Sequence, residues 1–266
     1  MTAARIAQVV VVFLIAVLVT YSIPSTRIAA ITFYEDTILT VAPSGERALY
    51  YADRHFHASS GVLYDLERAE GLYDRANELD PTLPTLQHQR ARAAFLKGDF
   101  YNALALINAA IEQDSKLMPS IYMRGLIKGF IGDYEGAAED YEAYLRSDPT
   151  NWAAINDYAW VLLKGGRSLD ALVAVDWGLM HSPGNAWLLN SKATALFERG
   201  EYEKALEAAR AAEKASTRVT EEEWLRAYPG NDPLIAGEGI TALRDAIAAN
   251  VHGIEARVKG EEKAVQ

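Results

Sequence analysis

The 266-residue chain sets 36 Asp and Glu against 26 Lys and Arg, for a formal net charge of −10, and it has no cysteine. An acidic chain lacks the basic stripe that nucleic-acid phosphates require, so nucleic acid is excluded as a partner. The missing thiols exclude a disulfide framework, a Cys-based zinc site and a Cys nucleophile.

Residues 1–5 form a short N-terminal tail, and the apolar run from Ile6 to Ile23 comes next, unbroken from Val9 to Val19. Eighteen residues fall within the span of about 17–25 that a bilayer-crossing helix needs. Arg5 flanks one end and Pro24 the other. The preferred reading is an uncleaved signal anchor over 6–23, giving a single-pass membrane protein with its remaining residues on the extracytoplasmic side (periplasmic if bacterial). A cleaved signal peptide is the rival reading, since the unbroken core of the run also suits an h-region. Residues 24–49 read as a juxtamembrane linker. Within it Ile28 to Val41 is either a helix lying on the membrane surface or an extension that packs onto the segment beginning at residue 50. Three Arg balance Glu35, Asp36 and Glu46 over residues 1–49, so the acidic excess lies entirely beyond them.

From residue 50 a period of 34 takes over. Gly98, Gly132, Gly166 and Gly200 recur at that spacing, each followed five residues later by alanine: Ala103, Ala137, Ala171 and Ala205. A fixed period of this size marks stacked units, each with an apolar face it cannot bury alone. The units run 50–83, 84–117, 118–151, 152–185 and 186–219. Small residues recur eight places in, at Ala91, Gly125, Ala159 and Ala193, where two antiparallel helices can cross closely. Asp80-Pro81, Asp148-Pro149 and Ser182-Pro183 close units, because proline cannot continue a helix.

After 219 the period stops. Tyr228 to Pro233 is a turn cluster, and Ile240, Leu243, Ile247, Val251, Ile254 and Val258 form one apolar stripe at helical spacing. Residues 220–259 therefore read as a terminal capping region and 260–266 as a disordered tail.

This pattern resembles the tetratricopeptide repeat, over about 170 residues. The resemblance implies an all-α, right-handed helix–turn–helix solenoid of about five repeats, whose first helices line a concave groove at their second, fifth, ninth and twelfth places. Carried over unit by unit, those places hold Arg54, then His88 and Arg92, then Tyr122 and Leu126. The fourth unit contributes Asn156 and Trp160, and the fifth Trp187, Asn190 and Thr194. Stacked Asn156 and Asn190 offer amides to the backbone of an extended peptide. Tyr122, Trp160 and Trp187 offer the large contact areas typical of binding hot spots. Burial of both tryptophans between helices is the competing reading. The Lys and Asn places of the chaperone-binding carboxylate clamp hold other residues here, so that function is set aside.

Nothing else in the chain amounts to catalytic chemistry. His55 and His57 point to different sides of a helix, and the remaining histidines lack ligand spacing, so no metal is expected. Lys164-Gly165-Gly166-Arg167-Ser168 is a repeat turn, not a phosphate loop. Gly125 and Gly129 read as repeat packing, and Glu221-Glu222-Glu223 as a solvated face. The chain is expected to be no enzyme and to need no cofactor. Its function is read as a membrane-tethered scaffold or accessory factor that binds a protein or peptide partner in the groove. The alternatives are a non-catalytic regulatory subunit of an envelope biosynthesis or secretion complex, and a secreted repeat protein.

Overall fold

The computed structural model describes residues 22–57, 63–227 and 235–265, and among these it holds thirteen α-helices and no strand. Helix α1 is Pro24–Val41, α2 Gly45–Phe56, α3 Leu66–Leu79, α4 Leu86–Leu96, α5 Phe100–Gln113, α6 Met118–Ile131 and α7 Tyr134–Leu145. Then come α8 Trp152–Lys164, α9 Ser168–His181, α10 Ala186–Glu198, α11 Tyr202–Ser216, α12 Glu221–Ala227 and α13 Ala236–Val265. The chain divides into two compact units, residues 1–86 and 87–266.

One expectation is corrected. Among the described residues no helix is long and apolar enough to cross a membrane. This overturns the single-pass membrane localisation. The run 6–23 itself lies outside the described residues, apart from Ser22 and Ile23. The supposed linker 24–49 is largely helical: it comprises α1 and the first turns of α2, which begins at Gly45, ahead of the repeat boundary at 50.

In the first unit, α1 is a packing extension of the α2–α3 hairpin. Its Glu35 is fully buried and accepts hydrogen bonds from His55 Nε2 at 2.9 Å, Arg54 Nη1 at 3.4 Å and Arg68 Nη2 at 3.5 Å. Neighbouring Asp36, half exposed, holds Arg68 at 2.7 Å. A buried carboxylate persists only when its lone pairs and its charge are matched, and here α2 and α3 supply both.

In the second unit the repeat is realised as α4–α5, α6–α7, α8–α9 and α10–α11. Each turn glycine adopts positive φ, between 74° and 98°. After each, an N–H reaches back five residues: Asp99 to Ala94, Asp133 to Lys128, Arg167 to Leu162 and Glu201 to Leu196, at 2.8–3.0 Å. That is the Schellman closure, and glycine is the residue that adopts its left-handed conformation without strain. Asp99 and Asp133 cap the helices that come after them, while Arg167 and Glu201 make no side-chain cap. The small residues sit where the helices cross: Ala91, Ala103, Ala137, Ala159, Ala171, Ala193 and Ala205 have no exposed surface. A Cβ on Gly125 would lie 3.3 Å from the Ala137 carbonyl oxygen. Ala137→Leu should therefore overpack this contact and cost roughly 1–3 kcal/mol, whereas Glu139→Leu on the exposed face should be near neutral. Thermal melts of the two variants measure the difference.

Helix α13 packs on α11 and α10. Ile247 and Ile254 are buried within it, and Ile240 and Val251 nearly so. The helix continues to Val265, through the tail expected to be disordered. Short α12 is pinned by Trp224, whose ring lies so close to Gly239 that a Cβ there would meet it at 2.1 Å.

Candidate functional site

The fifth place of each first helix in the second unit carries a polar side chain that bonds to a neighbouring helix. Tyr122 on α6 donates its hydroxyl to Asp157 on α8, and Asn156 on α8 accepts from Ser191 on α10 at 2.9 Å. These pairs share a stride of 35 residues. His88 on α4 bonds Ser120 on α6 at 2.9 Å, and Asn190 on α10 accepts from Asn250 on α13 at 3.0 Å. Thr194 stands 3.4 Å from the same Asn250 amide. The result is a polar ladder that runs through the first helices and ends on α13. Its members are half-buried or buried, which is why each is matched within the protein.

Burial sets the electrostatics of the ladder. Asp157 is buried, and this pushes its carboxyl up to about 7, against the opposing pull of the Tyr122 and Asn156 hydrogen bonds. Burial, followed by the nearby Arg92 guanidinium, lowers the His88 imidazole to about 4.

Beside the ladder lies a cleft of about 610 Å³. His88 and Arg92 of α4 form one wall, and Pro119, Tyr122 and Met123 of α6 the floor. Tyr144 of α7 and Asn151, Trp152 and Ala153 at the start of α8 form the next wall, and Leu225 and Arg226 of α12 the rim. Its aromatic side is built by contact: Tyr144 packs against Tyr122 with centroids 5.1 Å apart, and Asn151 bonds the Tyr144 hydroxyl at 3.1 Å. Trp152 leans on Trp187 at 5.1 Å. The lining contains two arginines and no carboxylate, in a chain of net charge −10.

Of the ten residues expected in a groove, His88, Arg92 and Tyr122 line this cleft together. Arg54 belongs to the first unit, on Glu35. Leu126 is 1% exposed, inside the core formed with α4 and α5. Trp187 is buried among Trp152, Trp224 and the α11 alanines. Trp160 is half-buried against Phe130, and a Cβ on Gly129 would meet its ring at 2.6 Å. The amides of Asn156 and Asn190 are engaged in the ladder. Sequence reasoning missed Tyr144, Asn151, Trp152 and the α12 residues. One signal was present: Asn151 and Asn185 recur one period apart, and each caps a first helix. The α12 rim has no counterpart in the repeat pattern.

Comparison with known proteins gives one family match and several similar folds. A family profile described as Tetratricopeptide repeat matches residues 119–151, the α6–α7 unit. YrrB, described as a TPR protein with an unusual peptide-binding site, superposes with a TM-score of 0.57 at 18% identity, covering 69% of this chain and 93% of its own. MamA from Desulfovibrio magneticus RS-1 (41-end) gives a TM-score of 0.59 at 13% identity, covering 66% of this chain and 97% of its own. A second MamA, AMB-1, gives 0.56 at 18%, covering 64% and 99%.

Proposed function

We propose that this chain, whose residues 119–151 match a tetratricopeptide-repeat profile and whose fold is similar to those of YrrB and MamA, is a non-catalytic interaction scaffold that seats a segment of a partner protein in the cleft between α4, α6, α8 and α12. The observation that carries this reading is the lining of that cleft. Partly exposed Trp152 and Tyr144 offer flat apolar surface at low entropic cost, and the guanidinium groups of Arg92 and Arg226, which also bond Gln89 and Glu222, offer further donors. YrrB is described by its peptide-binding site, and a comparable use of the fold here is consistent with that likeness. The ladder keeps the first helices in register, so the cleft is preformed and the partner bears less of the ordering cost.

Affinity capture with the full chain, followed by mass spectrometry, identifies the partner. The charge-reversed variant Arg92→Glu/Arg226→Glu and the truncation Trp152→Ala should each retain helical circular dichroism. Both should lose capture, with Trp152→Ala weakening binding by on the order of 2 kcal/mol. Undiminished capture by both folded variants would remove the cleft from the function. The ladder residues are poor probes, because truncating Tyr122 or Asn156 removes a hydrogen bond from buried Asp157 or half-buried Ser191.

A further inference from the structure

The second helices of successive repeats can be compared place by place, since each is counted from its turn glycine. Three, seven, eleven and fourteen residues beyond Gly132 stand Glu135, Glu139, Ala143 and Arg146, and beyond Gly200 stand Glu203, Glu207, Ala211 and Lys214. Beyond Gly166 the same places hold Leu169, Val173, Trp177 and Met180. Those four side chains are 54%, 63%, 44% and 72% exposed. Where α7 and α11 carry charge or alanine, α9 carries an apolar stripe; α5 has a large exposed apolar residue at the first of these places alone, Tyr101. A stripe of large exposed apolar residues costs solubility and contributes nothing to the repeat's own core, so folding does not account for it.

Two features make the stripe suited to docking. Trp177 is held in place: its indole N–H donates to the Pro149 carbonyl at 2.7 Å and its ring packs on His181 at 4.5 Å. Between α7, α8 and α9, Val173 and Trp177 border an open, largely apolar cleft of about 620 Å³ that Leu145, Ile155 and Tyr158 also line. The charges around it are mainly acidic. Glu142 and Asp170 line it, exposed Glu135 reaches it through Arg167, and exposed Asp176 stands beside Trp177 in the chain, while Arg167 is already bound to Asp170 and Glu135, and Lys192 to Asp176. Arg146 is the remaining cation at the rim.

We propose that the exposed stripe of α9 and its adjoining cleft are a second interaction surface, separate from the first-helix cleft, which binds an amphipathic helix of a partner protein with Lys or Arg flanking its apolar face. A second copy of this chain is disfavoured as the occupant, because each copy carries −10 and would bring carboxylates against carboxylates.

The test uses the full chain and three labelled synthetic peptides of about 18 residues. One has a Leu/Trp face flanked by Lys, one the same face flanked by Glu, and one the scrambled Lys sequence. Fluorescence anisotropy should show the Lys-flanked helix binding at least tenfold more tightly than the other two, with hydrogen-exchange protection confined to α9 and the cleft beside it. Val173→Glu/Met180→Lys gives α9 the chemistry its neighbours already carry at those places, so the variant should fold, and it should weaken binding at least tenfold. Trp152→Ala, in the first-helix cleft, should leave this binding unchanged whether or not that cleft serves the proposed scaffold. Equal binding of the scrambled or Glu-flanked peptide, or protection elsewhere, would overturn the proposal. So would sedimentation showing a self-associated protein that Val173→Glu/Met180→Lys returns to monomer, because a second copy would then cover the stripe.

Discussion

Replacing Glu35 with alanine should destabilise the first unit by about 3–5 kcal/mol, the usual cost of removing one partner from a buried ion network. The carboxylate has no exposed surface, and His55 beside it is 2% exposed. Without Glu35, the His55 Nε2 and the inner faces of Arg54 and Arg68 lose the acceptor that offsets their burial. The part of the fold that responds first is α1, which the network ties to α2 and α3. Hydrogen exchange should therefore show α1 losing protection before α4 to α11 do, along with a lower urea midpoint. Asp36→Ala supplies the control. That carboxylate is 55% exposed and its pair with Arg68 is solvent-screened, so its loss should cost about 0–1 kcal/mol. Equal midpoints for the two variants would mean that the buried network contributes nothing particular.

The second large effect is a dependence on pH centred on Asp157. Its folded value of about 7 lies above the usual carboxylate value of 3.8. Between those limits the folded state holds a proton that the unfolded state has released. Stability contributed at this site is therefore present at low pH and lost as pH rises from about 4 through about 7. His88 works the other way: its folded value of about 4 lies below 6.5, so its share of stability grows as pH rises over that interval. The two partly cancel in the wild type, and comparison with a variant separates them. Asp157→Asn keeps the shape, retains an oxygen for hydrogen bonding and cannot ionise. The unfolding free energy of the variant relative to wild type should rise by roughly 3 kcal/mol between pH 4 and pH 7. Denaturant titrations at half-unit pH steps measure it, and a difference that stays flat with pH would remove Asp157 as a titrating group.

Much of the repeat architecture was legible residue by residue, and much of the cleft was not. The turn glycines and crossing alanines act within one helical hairpin, so their spacing in the chain is their spacing in the fold. The groove positions of Tyr122 and Asn156 come from the same phase, but their hydrogen-bond partners do not. Each side chain pairs with Asp157 or Ser191 one repeat onward, a match that depends on the offset between stacked helices. For the same reason Asn156 and Asn190 read as peptide-facing amides in the sequence and are engaged within the protein in the fold. Glu35 beside Asp36 in an otherwise apolar run was a visible anomaly, yet its meaning required knowing that α2 and α3 bring a histidine and two arginines to it.

What the sequence by itself determined is the all-α class, the 34-residue period, the hairpin turns, the apolar face of α13 and the absence of thiol chemistry. All of these arise from interactions local in the chain: a left-handed turn that favours glycine, a close crossing that admits alanine, and a helical stripe that must be buried. What only the tertiary structure decided is which polar groups face each other across repeats, that α1 is locked down by Glu35, and that α12 forms the rim of the cleft. It also decided that the four apolar residues of α9 stand in solvent, not in a core. The hydrogen bonds among them join residues 19 to 60 positions apart, and the cleft brings together His88 and Arg226, 138 positions apart. Their energies come from burial and partner matching, which no property of a single segment records.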